Sequence, residues 1–150
     1  MTPTHDRQSP APVSRWERFC ERCYAVSMSR VVRELSLEAS ESYQALLEDL
    51  KAPLAPAFER EVARRLDAGD RGGLTPARTL MPEVMARFGL SPESYDDARE
   101  LAVLARRCNR CPVAGQCWRA ARHGTGGEAY RALCPNASAF ERQAAAVDRA

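Results

Sequence analysis

Cys108, Cys111, Cys117 and Cys134 are the residues of this chain best suited to chemistry, four thiols within 27 residues at the spacing C-x2-C-x5-C-x16-C. Four soft sulfur donors is the number that both a tetrahedral zinc ion and a cubane iron–sulfur cluster require. The Cys108–Cys111 pair points both sulfurs to one side of a short turn. The next gap adds a constraint. If Pro112 to Cys117 were one straight helix, six residues at about 1.5 Å each would separate the sulfurs by about 9 Å along its axis. "PVAGQ" is therefore expected to turn, with Pro112 and Gly115 as its turn residues.

Two of the cysteines precede proline, Cys111-Pro112 and Cys134-Pro135. Proline favours the first position of a helix, which makes the residue before it the cap. Cys134 is expected there, where free N–H groups and the helix dipole stabilise a thiolate. Between Arg99 and Arg131 seven arginines face only Glu100 and Glu128. Arg106, Arg107, Arg110, Arg119 and Arg122 flank the thiols and could offset the negative charge of a thiolate-bound centre. The plainer reading is a solvated helical face, and contacts to nucleic-acid phosphates are a third. Trp118 is expected to shield one side of the centre from water. A cysteine can also be just a small buried hydrophobe.

A second C-x2-C pair, Cys20 and Cys23 in "FCERC", makes a zinc site of Cys20, Cys23, Cys108 and Cys111 formally available. Against it, Cys20 and Cys23 fall inside a helical pattern beside Phe19 and Tyr24. Packing in the core is the favoured reading for these two, with a ligand or redox role as the other.

The elements that must position these residues are helical. Residues 1–13 read as a disordered tail. "SRWE" is a capping box that starts a helix at Ser14. A second helix is expected after Ser36, stopped by Pro53 and Pro56, and "AFEREVARRLDAG" a third with Phe58, Val62 and Leu66 on one face. "GDRGGLTP" is a linker between regions 14–70 and 75–150. A short helix over Pro82–Phe88 follows, then one capped by Ser91 with Tyr95, Leu101, Leu104 and Ala105 on its apolar stripe. "PNASAFERQAAAVDRA" is the last helix, from Pro135. The expected fold is an all-α small bundle with the four-cysteine site between short C-terminal helices.

The composition narrows the function. The chain has 150 residues, is 45% hydrophobic and carries a net charge of +2, with Lys51 its only lysine. It can bury a core without crosslinks, and its charge announces neither a nucleic-acid nor a membrane partner. The N-terminus shows no secretory pattern and no apolar run reaches membrane length, so a cytoplasmic location is the expectation. Thiols kept reduced there read as ligands or redox groups before disulfides. Phosphate-loop, zincin and hydrolase-elbow motifs are missing. Gly124, Gly126 and Gly127 read as a turn, and His123 as a helix-end residue. No enzymatic role is expected.

The segments "RRCNRC", "CPVAGQCWRA" and "YRALCPNASAFE" resemble a small proteobacterial family known only as a domain of unknown function, with matching positions Cys108, Cys111, Cys117, Trp118, Cys134, Pro135, Asn136 and Ala137. "CNRCPVAGQC" is similar to the C-x2-C-P-V-x3-C core of WhiB-like proteins, which bind a [4Fe-4S] cluster. Those proteins take their remaining cysteine from upstream, whereas this chain has Cys134 downstream. The resemblance implies cluster geometry, not transcriptional function. The expectation is a [4Fe-4S] protein in electron transfer or in redox or iron sensing, bound through Cys108, Cys111, Cys117 and Cys134. The alternative is a helical adaptor with structural Zn2+ on the same residues. The expected partner is another protein; nucleic acid is the second class that the arginines allow.

Overall fold

The computed structural model describes residues 13–150, so all of the expected tail but Val13 lies outside them. These residues form α1 (Arg15–Glu38), α2 (Ser40–Glu48), α3 (Pro56–Asp67), α4 (Pro76–Thr79), α5 (Met81–Arg87), α6 (Ala98–Asn109), α7 (Ala114–Arg122), α8 (Gly127–Leu133) and α9 (Ala137–Asp148). A single 3-10 turn, Pro92–Ser94, precedes α6, and no strand occurs among the described residues. The fold is all-α, as expected.

Local chemistry explains several of the ends. Ser14 accepts the Glu17 N–H at 3.1 Å while Glu17 accepts the Ser14 N–H at 2.7 Å, the reciprocal capping box that starts α1. Gly69, at φ +94°, ends α3 in the left-handed region that favours glycine.

Other ends differ from expectation because different short-range side-chain contacts set them. α1 runs through Ser36 to Glu38, because the Ser36 hydroxyl bonds the Arg33 carbonyl at 2.8 Å instead of capping a new helix. α2 ends before its prolines, where the Asp49 carboxylate accepts the N–H groups of Lys51 and Ala52, each at 3.1 Å. Ser91 caps only the 3-10 turn; α6 starts at Ala98 behind Asp97, which accepts the Arg99 N–H at 2.8 Å. The last helix begins at Ala137, two residues beyond Pro135.

Residues 14–70 and 75–150, read in the sequence as two regions, share one hydrophobic cluster. Tyr43, Leu47, Val62 and Leu66 pack in it with Leu80, Met85, Leu104, Trp118, Tyr130 and Phe140. Its most extensive helix pairing is α3 on α7. There Gly115 lies so close to α3 that a Cβ would fall 1.8 Å from the Ala63 carbonyl oxygen. Only glycine permits that approach.

α1 is treated differently. Val32 is its only buried residue. Its second half rests on α3, where Arg65 donates to the Ser29 carbonyl at 3.3 Å. Residues 13–27 are all exposed.

Candidate functional site

The four C-terminal cysteines line one cavity of about 20 Å³. That is room for roughly one water. Cys108 comes from the last turn of α6, Cys111 from just beyond its end, Cys117 from the first turns of α7, and Cys134 from the end of α8. Met81, Val84, Val113, Pro135 and Phe140 complete an almost wholly apolar wall, with Arg107 and Asn136 beside them.

Two turns of the same pattern, Cys-Pro-x-Ala, deliver Cys111 and Cys134. Each places two turn residues after the cysteine and starts a helix at the alanine, Ala114 or Ala137. This corrects two expectations. Only Pro112 and Val113 of "PVAGQ" form a turn; Ala114, Gly115 and Gln116 are already helical, and Cys117 reaches the cavity from the fourth helical position. The early start is secured from another helix, since Asp67 accepts the N–H groups of Gly115 at 2.7 Å and of Gln116 at 3.3 Å. Likewise Cys134 is not the cap of α9. Asn136 holds that position, yet its side chain is spent on α6: its amide donates to the Leu104 carbonyl at 2.9 Å and its oxygen accepts from Arg107 at 3.1 Å.

Burial governs the thiols. It pushes Cys108 up to about 12, with the negative charge of Cys134 and Cys111 adding to the shift and Arg71 opposing it. Cys117 is raised by burial first, then by Cys134, Cys108 and Cys111. Cys134 is raised by burial too, countered by the backbone N–H groups of Asn136 and Ala137 and increased again by Cys111. Each thiolate thus disfavours the next, and these three are protonated at neutral pH unless a cation is present to hold them as thiolates.

The arginines divide. Arg107 lines the cavity, but Arg119 and Arg122 belong to the α3–α7 seam, which corrects the expectation that both offset charge at the thiols. Glu59, only 4% exposed, accepts from Arg119 at 3.2 Å and Arg122 at 3.3 Å and bonds His123 at 2.6 Å. Arg122 also donates to the carbonyls of Asp49 and Ala52 and lies 4.8 Å over the Trp118 ring. Trp118 does not line the cavity: it is fully buried in the core, donating from Nε1 to the Leu47 carbonyl at 2.9 Å. Phe140, Met81 and Val84, and not Trp118, form the apolar wall beside the thiols.

Sequence reasoning missed Arg71. It donates from Nη2 to the Cys111 carbonyl at 2.9 Å, while its buried Nη1 has no hydrogen-bond partner among the described residues. Its place in the glycine-rich segment, 40 residues from Cys111, gave no signal.

Cys20 and Cys23 are exposed, not core residues, and so are Trp16 and Phe19 beside them. The four-thiol set of Cys20, Cys23, Cys108 and Cys111 is not assembled, because two of its members face solvent and Cys111 is buried at the cavity. Among the described residues, no three His, Cys, Asp or Glu side chains are gathered closely enough to hold a metal ion. No described helix is long and apolar enough to cross a membrane. A scan against protein-family models finds no match, and searches of curated proteins and of solved structures find none either.

Proposed function

We propose that this chain is a small [4Fe-4S] protein, acting in electron transfer or in redox or iron sensing, with Cys108, Cys111, Cys117 and Cys134 as the ligands. The observation that carries the reading is that these four thiols, drawn from two helix ends and one helix start, line a single apolar cavity. Simple core packing does not require four cysteines to meet.

The surroundings suit a negatively charged inorganic centre. Arg71 holds a buried guanidinium nitrogen without a partner near Cys108 and Cys111. Arg107 stands at the cavity rim, and the Asn136 and Ala137 N–H groups favour the Cys134 thiolate. The apolar wall excludes water, which favours retention of a centre and tunes its potential. A cluster would supply one-electron chemistry; the chain's residues neutralise charge, fix the sulfurs and limit solvent.

The likeness of "CNRCPVAGQC" to the C-x2-C-P-V-x3-C core of a cluster-binding family favours the cluster over zinc. Either centre would require the thiols to move, because no three of them are gathered closely enough for one ion and the cavity they line holds about 20 Å³.

Anaerobic purification followed by iron, sulfide and zinc analysis tests the reading. About four irons and four sulfides per chain, with a chromophore bleached reversibly by dithionite, is the expected result. Colourless protein holding one zinc per chain would instead make this a structural site in an adaptor.

A further inference from the structure

Residues 15–27, the first half of α1, form about 20 Å of helix on which every residue is exposed. On it Trp16 is 70% exposed, Phe19 56%, Tyr24 51% and Val26 75%. At about 100° per residue, Trp16, Cys20, Cys23 and Ser27 share one narrow stripe, bordered by Phe19 on one side and Tyr24 on the other. The charges beyond this stripe are sorted by sign. Glu17 and Glu21 lie past Tyr24; Arg15 and Arg22 lie past Phe19.

That sorting selects an occupant. Two copies of α1 lying parallel about a two-fold axis bring the acidic flank of each against the basic flank of the other. An antiparallel pair sets like charge on like. In the parallel pair the stripes face each other, so Cys20 and Cys23 of one chain meet Cys20 and Cys23 of the next. One chain supplies two thiols, half the set of a tetrahedral site; two copies supply four.

We propose that Cys20 and Cys23 form half of a thiolate site for a zinc-class cation, completed by the same pair from a second copy of this chain. The inference is independent of the cavity at Cys108 and goes beyond the cluster reading. Trp16, stacked on Phe19 with ring centroids 5.7 Å apart, covers the site from the N-terminal side. Arg15 and Arg22 partly offset the charge of four thiolates around one divalent ion. Burial of the aromatic stripe supplies the apolar part of the interface.

Sedimentation velocity of the whole chain under a phosphine reductant, which removes disulfide dimers, tests this. Addition of Zn2+ should convert monomer to dimer, and a chelator should reverse it. Cys20→Ser/Cys23→Ser, at exposed positions that leave the body intact, should stay monomeric. It should also bind about half an equivalent less zinc per chain, a difference that zinc entering the Cys108 cavity does not affect. Glu17→Arg/Glu21→Arg should weaken zinc-dependent dimerisation about tenfold, and adding Arg15→Glu/Arg22→Glu should restore it. Wild-type chain that stays monomeric with zinc, or a cysteine double variant that dimerises equally well, would overturn the proposal. An unchanged dimer in the Glu17/Glu21 variant would overturn the parallel arrangement.

Discussion

Cys20-x2-Cys23 and Cys108-x2-Cys111 look alike along the chain, each a thiol pair beside arginines on a helical segment. In three dimensions the first pair faces solvent and the second joins Cys117 and Cys134 around a cavity. The pair itself does not decide the outcome. What differs is the support supplied by distant residues. Asp67 anchors the start of α7, Gly115 lets it meet the Ala63 carbonyl, and Asn136 ties the entry of α9 to α6. Among the described residues, nothing comparable reaches residues 15–27 of α1.

The sharpest contrast should come from metal content. Cys134→Ala should lose nearly all iron after anaerobic purification, while Cys20→Ala/Cys23→Ala keeps it. Equal iron in both would dissolve the distinction between the two groups. Alkylation gives the next largest effect. In the native protein Cys20 and Cys23 should react at least about a hundredfold faster than the other four, which must await local opening. Intact-mass spectrometry should therefore show a plateau at two adducts, and a plateau at six would break the comparison.

Reading the chain in one dimension captured what neighbours along it can determine. The Ser14–Glu17 capping box and the Gly69 stop are chemistry within a few residues, and both stand. The cysteine spacing was legible for the same reason. The helix starts at Ala98 and Ala114 were not, and the second depends on Asp67, which lies far upstream in the sequence. Arg71 meets the Cys111 carbonyl, and Phe140 the cavity, only through tertiary packing. The misplacement of Cys20 and Cys23 has a different origin. An apolar stripe shows that a helix can be covered, not that this chain covers it.

Stability measurements refine the contrast further. Gly115→Ala puts a methyl against the Ala63 carbonyl and should cost about 3 kcal/mol by denaturant titration, the upper end of overpacking effects. Asn136→Ala leaves the Leu104 carbonyl and Arg107 short of a partner and should cost about 2 kcal/mol. Val26→Ala, on the exposed half of α1, should change monomer stability by less than about 0.5 kcal/mol. A larger loss there would mean that this half of α1 is packed after all.

The smallest effect is one of pH. Burial alone would raise the Glu59 carboxyl, but its bonds to His123, Arg119 and Arg122 outweigh it and hold the group below its ordinary 4.5. A carboxyl lowered by folding contributes stability above its unfolded value, and that contribution fades as pH falls through the folded value. The melting temperature should thus drop from about pH 4.5 downward, and Glu59→Gln should be less stable near neutrality with a flatter acid limb. Parallel acid limbs would assign the loss to other carboxylates.

The bare α-carbon at position 115 carries a further consequence. With a carbonyl seated where any side chain would begin, α3 and α7 cannot slide past one another, and the depth of the thiol at 117 is inherited from a helix laid down long before it in the chain. An incoming inorganic guest would meet thiols already carried to one cavity by packed helices, and would have to widen that cavity from about 20 Å³. Assembly would then exchange protons for metal on a framework set elsewhere, and a substitution remote from every sulfur could spoil it.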